Sequence, residues 1–200
     1  MWSIESPKAY TQFVQELFRQ SGGEDGGFVL SDGDKEISLS KKMEIIDAPL
    51  RVTPNDKRIL AKLYSQLERN CVEECYIKMQ EIYDSIRNFL LEIEYTSDAI
   101  LDFDDSMDLT GIFKLANLRM YTEEDNLAGR IALFMQNANK YLGISIFVTM
   151  NLLSYISLDE LTEILKVAEE YSFKILLIES SCPKEYAGVK YIFDKDFCEI

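Results

Sequence analysis

Apolar residues recur at Leu60, Leu63, Leu67, Cys71, Cys75, Met79, Ile82, Ile86, Leu90 and Ile93, in steps of three or four that trace one stripe of a helix over residues 53–94. Even with a break near Asn70, a helix of that length spans on the order of 60 Å, more than the width of a compact domain this size. The pattern then changes character. Residues 144–150 and 173–178 are near-continuous apolar runs, as in strands buried on both faces. Together these predict a compact α/β body with a projecting helical arm, which suits a part of an assembly better than a small enzyme.

The remaining elements follow from local signals. Ser6-Pro7 reads as an N-cap and first helical position, with Tyr10, Phe13, Val14, Leu17 and Phe18 on one face and a stop at Gly22-Gly23. Residues 28–30 and 36–39 flank Asp32-Gly33, a hairpin turn signal, and residues 43–46 predict a further strand. Thr53-Pro54 repeats the cap-plus-proline start and launches the arm. Residues 99–103 read as a strand or a helix end, and 109–118 as a shorter helix, both within the arm. Thr122 is expected to cap a helix through Tyr141. Strand 144–150, a Ser157…Glu160 capping box opening helix 158–171, and strand 173–178 make a βαβ unit. Residues 189–193 and 197–200 read as short terminal strands. The division expected is an α/β head of residues 1–50 and 143–200 and a helical leg of residues 51–142.

The chain has 200 residues, 47% of them hydrophobic, enough to bury one core. Residues 1–8 lack the features of a secretory signal, and no apolar run approaches the roughly 18 residues of a membrane span, so a soluble, cytoplasmic protein is expected. Cys71, Cys75, Cys182 and Cys198 have no C-x-x-C spacing and read as reduced, buried thiols. There is no histidine, which removes histidine-based nucleophile activation and the usual zinc sites. A net charge of −14 and a pI near 4.5 argue against a simple basic nucleic-acid-binding domain. DNA binding would need a local concentration of positive charge.

Such concentration is sought on the arm, where Lys57, Arg58, Lys62, Arg69, Lys78 and Arg87 are followed by Lys114 and Arg119. Lys57, Arg58 and Lys62 fall within about one and a half turns. A phosphate loop of the form G-x-x-x-x-G-K-[ST] is absent, and the Gly22–Gly27 cluster follows a helix, lacks lysine and carries two carboxylates, so it reads as a helix stop. Asp102, Asp104, Asp105 and Asp108 form the densest acidic cluster. Their oxygens suit a hard divalent ion such as calcium, although the spacing is not that of an EF-hand. A two-metal nuclease also uses clustered carboxylates.

The chain resembles the ring-forming, DNA-end-binding adaptation protein of type II-A CRISPR systems. The resemblance is carried by Glu5-Ser6-Pro7-Lys8, by Ile144-Ser145-Ile146-Phe147-Val148-Thr149 with Tyr155-Ile156-Ser157-Leu158-Asp159-Glu160, by Lys174-Ile175-Leu176-Leu177-Ile178-Glu179, and by Tyr191-Ile192-Phe193-Asp194-Lys195-Asp196-Phe197. It implies a mostly parallel α/β head, similar to a nucleotide-binding core without a phosphate loop, with an inserted elongated α-helical leg. It also implies a homotetrameric ring around double-stranded DNA ends, calcium held at the acidic stretch Asp102-Phe103-Asp104-Asp105, with Asp108 the further candidate from the cluster, no enzymatic activity, and association with the spacer-integration complex and the RNA-guided effector nuclease of the same system. In that setting Lys57, Arg58, Lys62, Arg69, Lys78, Arg87, Lys114 and Arg119 become candidates for phosphate contacts without base reading. Two departures are visible: Trp2-Ser3-Ile4 begins almost at the first helix, where an extra N-terminal strand segment is usual, and the leg is not especially basic.

The leading reading is a non-catalytic, sequence-independent clamp on duplex DNA ends in spacer acquisition. The alternatives are a divalent-metal nuclease using Asp102, Asp104 and Asp105, and a protein-binding adaptor whose arm pairs through its apolar stripe.

Overall fold

The computed structural model describes residues 1–104, 108–122 and 126–194. These form two compact units, one of Met1–Asp56 and Tyr121–Ile200 and the other of Lys57–Met120. In chain order the elements are β1 (Trp2–Ile4), α1 (Pro7–Ser21), β2 (Leu30–Asp32), β3 (Lys35–Ile37), α2 (Leu39–Lys42) and β4 (Met43–Ile46), then α3 (Lys57–Glu74), α4 (Tyr76–Tyr95) and α5 (Leu109–Leu115), then α6 (Leu127–Leu142), β5 (Ile146–Met150), α7 (Leu158–Glu170), β6 (Lys174–Glu179) and β7 (Tyr191–Phe193).

The first unit is built on a five-stranded sheet of order β4-β5-β6-β1-β7, with every neighbouring pair parallel. Parallel strands need crossovers, and right-handed crossovers place the helices on opposite faces when the direction of travel reverses. The step from β1 to β4 runs one way across the sheet, and the steps β4–β5 and β5–β6 run the other. Accordingly α1 buries Ala9 and Leu17 with Ile4, Met43, Val148 and Ile178, while on the opposite face Phe147 meets Phe134 of α6 at 6.5 Å and Phe173 at 5.0 Å, both edge-on. Alternate residues of β5 therefore serve different layers.

Local chemistry sets the helix ends. The Ser6 hydroxyl accepts from the Ala9 amide and Pro7 opens α1. Ser157 and Glu160 form the expected capping box of α7, with bonds of 2.8 and 3.3 Å. The cap of α6 is Asn126, whose Oδ1 accepts from the Gly129 amide at 2.6 Å, not Thr122 as expected, because the first turn of the helix forms only from Leu127. The hairpin forms with Asp32 opposite Lys35, so its two-residue loop is Gly33-Asp34, one residue later than expected, and Gly33 takes φ +60°. Residues 99–103 are neither strand nor helix. The expected strand at 197–200 lies outside the described residues.

Trp2-Ser3-Ile4, read from sequence as a mere lead-in to the first helix, is β1, and it sits between β6 and β7. Three alternating residues are too few to announce a strand by periodicity. The pairing is closed by backbone bonds from Glu5 N to the Phe193 carbonyl and from Tyr191 N to the Met1 carbonyl, both 2.9 Å.

In the second unit the long helical signal divides into α3 and α4 at Cys75, which leaves helical geometry at φ −122° and ψ 16°, five residues beyond the expected break at Asn70. The ladder nevertheless continues through it, with Cys75 N bonded to the Cys71 carbonyl and Met79 N to the Cys75 carbonyl. Helix α5 packs on α3 through Tyr64 and Phe113, whose ring centroids are 5.6 Å apart, and the Tyr64 hydroxyl donates to the Leu118 carbonyl. Among the described residues no helix is long and apolar enough to cross a membrane.

At the carboxyl ends of the strands, Asn151 adopts a left-handed conformation at φ +48°. Its side chain donates to the Tyr10 hydroxyl at 3.1 Å and accepts from the Ser180 amide at 2.9 Å. Beside it Glu179 is 97% buried, and its Oε1 accepts from the Leu153 amide at 3.3 Å. Burial outweighs the backbone bonds and pushes the carboxyl up to about 7. A carboxyl whose folded pKa is raised contributes stability that is complete below its unfolded pKa and is lost as pH rises through the folded one. Glu179→Gln is expected to flatten the fall in stability between pH 4.5 and about 7, and to recover on the order of 3 kcal/mol at pH 8. Urea unfolding across that range reads it, and parallel pH profiles for both proteins would contradict it.

Candidate nucleic-acid interface

Open α/β sheets ordinarily receive ligands at the carboxyl ends of their strands. Here that edge carries the Glu179 carboxyl and the Tyr10–Asn151 pair, and β1 leads into α1 through Glu5-Ser6 without a glycine loop. The β1–α1 turn thus lacks the glycine-rich loop that cradles phosphate in such folds. The residues at this edge escaped sequence reasoning because only the sheet order brings positions 10, 151 and 179 together.

All eight predicted basic residues fall in the unit Lys57–Met120, and all eight are exposed. They do not share one face. In α3 the buried residues are Ile59 and Tyr64, with Leu60, Leu63 and Leu67 half-buried. At roughly 100° per residue the opposite side of that helix is the row Arg58, Lys62, Arg69. Sequence spacing grouped Lys57, Arg58 and Lys62; the phase set by burial moves Lys57 to the flank and brings Arg69 in. The signal was already present in the phase of Leu60, Leu63 and Leu67.

Over residues 57–67 α3 carries three cations and no carboxylate, before Glu68, Glu73 and Glu74 enter. The row from Arg58 to Arg69 runs about 16 Å along the axis. Within it Arg69 Nε donates to the Ser65 carbonyl at 3.3 Å, which holds the guanidinium against its own helix. On α4, Lys78 and Arg87 are nine residues apart and so point to opposite sides; Lys78 lines an apolar cavity with Cys71, Cys75 and Met79. Lys114 occupies the last turn of α5 and Arg119 follows that helix.

The acidic cluster is dispersed in role. Asp108 is the N-cap of α5, its Oδ1 accepting from the Thr110 amide at 2.8 Å. Asp102 and Asp104 are exposed in irregular chain, and Asp105 lies outside the described residues. Among those described, no group of three or more acidic or cysteine side chains is placed to hold a metal. Calcium requires six to eight oxygens, so the described carboxylates do not by themselves form its site. The cysteines also differ from expectation. Cys71 and Cys182 are half-buried and Cys75 is exposed, all three as free thiols, so the expected burial is incomplete; Cys198 lies outside the described residues.

The geometry, then, is a parallel α/β unit without a phosphate loop and a helical unit bearing a cationic row. A family model for the CRISPR-associated protein Cas_Csn2 matches residues 20–197, nearly the whole of both units. The chain belongs to the CRISPR-associated Csn2 family of type II-A systems.

Proposed function

We propose that this protein is a non-catalytic, sequence-independent clamp on the ends of double-stranded DNA, acting as a homotetramer in CRISPR spacer acquisition beside the spacer-integration complex and the RNA-guided effector nuclease. The observation that carries the reading is the row Arg58, Lys62 and Arg69 on the exposed side of α3 in a chain of this CRISPR-associated family. Three cations spread over about 16 Å meet phosphates along a backbone and carry no base code. In a chain of net charge −14, screening over roughly 8 Å at physiological salt lets such a row act locally. Retention then comes from enclosure, and weak phosphate contacts leave the clamp able to slide inward from an end.

Self-association has its own support. On α4, Ile82, Phe89 and Ile93 lie within a narrow sector of the helix and are 50%, 60% and 38% exposed. Apolar stripes of this kind mark contact surfaces, and a further copy of the chain is the proposed cover. Calcium enters as an ion for which Asp102 and Asp104 would be ligands together with donors beyond the described residues, such as Asp105; neither the cationic row nor enclosure depends on it.

Three measurements test the parts separately. The triple variant Arg58→Gln, Lys62→Gln, Arg69→Gln is expected to lose at least tenfold in affinity for linear duplex, with the slope of log K against log salt reduced by about 3 per protomer engaged. Mobility shifts with linear and circular duplex read this; equal binding of both topologies by the unaltered protein defeats the end-loaded clamp. Sedimentation is expected to give a four-chain mass that falls in Ile82→Ser, Phe89→Ser, and an unchanged mass removes α4 from the contact. In equilibrium dialysis, calcium uptake is expected to drop in Asp104→Asn, and a wild-type protein that retains none at millimolar calcium removes the ion from the proposal.

A further inference from the structure

The helical unit holds a cavity of about 270 Å³ lined by Cys71, Cys75, Lys78, Met79, Ile82, Tyr83, Leu109, Ile112 and Phe113. Three sulfur side chains, Cys71, Cys75 and Met79, stand one helical turn apart and all face it. The turn between the two cysteines is closed by Cys75 N on the Cys71 carbonyl at 2.9 Å, and the next by Met79 N on the Cys75 carbonyl at 3.0 Å. Cys75 is also where α3 gives way to α4.

The separation of the thiols decides between their possible chemistries. Side chains four apart on a helix have Cβ atoms roughly 5–6 Å apart, whereas a disulfide wants roughly 3.5–4.5 Å. A direct S–S bond is therefore too short for this pair. An atom bridging two thiolates through bonds of about 2.3 Å, the length of a zinc–thiolate bond, spans the gap without moving the backbone. Thiolate and thioether donors together select soft, low-valent ions, Cu(I) foremost.

The lining favours a low-coordinate ion. Zinc ordinarily takes four ligands, thiolates among them, and calcium six or more oxygens, whereas the other side chains facing the cavity are aliphatic or aromatic apart from Lys78 and the Tyr83 phenol. Among the described residues no carboxylate side chain lines the cavity. Two thiolates and a monovalent ion sum to one negative charge, which the Lys78 ammonium on the same wall offsets.

We propose that Cys71, Cys75 and Met79 form a binding site for a soft monovalent cation of the Cu(I) class, at the junction of α3 and α4. Each thiol releases one proton as its sulfur binds, and Met79 completes a three-sulfur set. Occupancy pins the junction between the two helices that carry most of the arm's cations.

Anaerobic titration of the reduced full-length chain with Ag(I), a redox-inert member of the class, in competition with a chelator, tests the site. One ion per chain is expected, unchanged by Cys182→Ser with Cys198→Ser, weakened about tenfold by Met79→Leu, and lost in Cys71→Ser, Cys75→Ser, with circular dichroism verifying that each variant is folded. Cu(I) in competition with bicinchoninate should follow the same order. Absence of stoichiometric uptake by the wild type, uptake preserved in the Cys71→Ser, Cys75→Ser variant, or equally tight binding of zinc overturns the proposal.

Discussion

Strands that are apolar on both sides must be covered on both sides, and this requirement organises the first unit. Phe147 and Val148 are adjacent in β5 and both fully buried, yet they belong to different layers, one facing Phe134 and Phe173 and the other facing α1 through Ile4 and Ile178. No single helix can serve both. The chain meets the requirement by travelling from β1 to the β4 edge with α1 on one face, and returning through β5 and β6 with α6 and α7 on the other. A long insertion is tolerated between β4 and α6 because that connection already has to leave the sheet edge and come back.

The same topology fills the strand ends, the ordinary ligand position of such sheets, with side chains of its own. A carboxyl held near pH 7 by burial, and an asparagine committed to Tyr10 and Ser180, occupy the strand ends where related architectures bind phosphates. Positive charge appears instead on α3, along the row Arg58, Lys62 and Arg69. An acidic chain can carry a locally cationic face in this way because exposed charges a few helical turns apart are largely screened from one another.

Much of this was legible beforehand. The βαβ unit, the capping box of α7, the hairpin, the ends of α1 and the long helical signal are patterns of neighbouring residues, each readable from a continuous stretch of chain. What sequence could not show were relations across the chain. Asn126 rather than Thr122 caps α6 because both types can cap and only the first turn's geometry chooses. The bend falls at Cys75, where no proline or glycine announces it. Arg69 joins Arg58 and Lys62 only after burial has fixed the phase of α3. The acidic stretch was legible as composition, but Asp108 proves to be engaged at a helix end, a role its spacing from Asp102 does not reveal.

The place of β1 has a consequence for how the molecule comes into being. Its two neighbours are β6 and β7, about 175 and 190 residues later, so during synthesis this strand stays without its partners until that much more chain has been made. Pairing of β1 is thus the most non-local contact of the sheet, the kind that forms slowly. Until then the tryptophan and isoleucine of that strand are bare, and newly made chains are vulnerable to aggregation and to exchanging this strand between molecules.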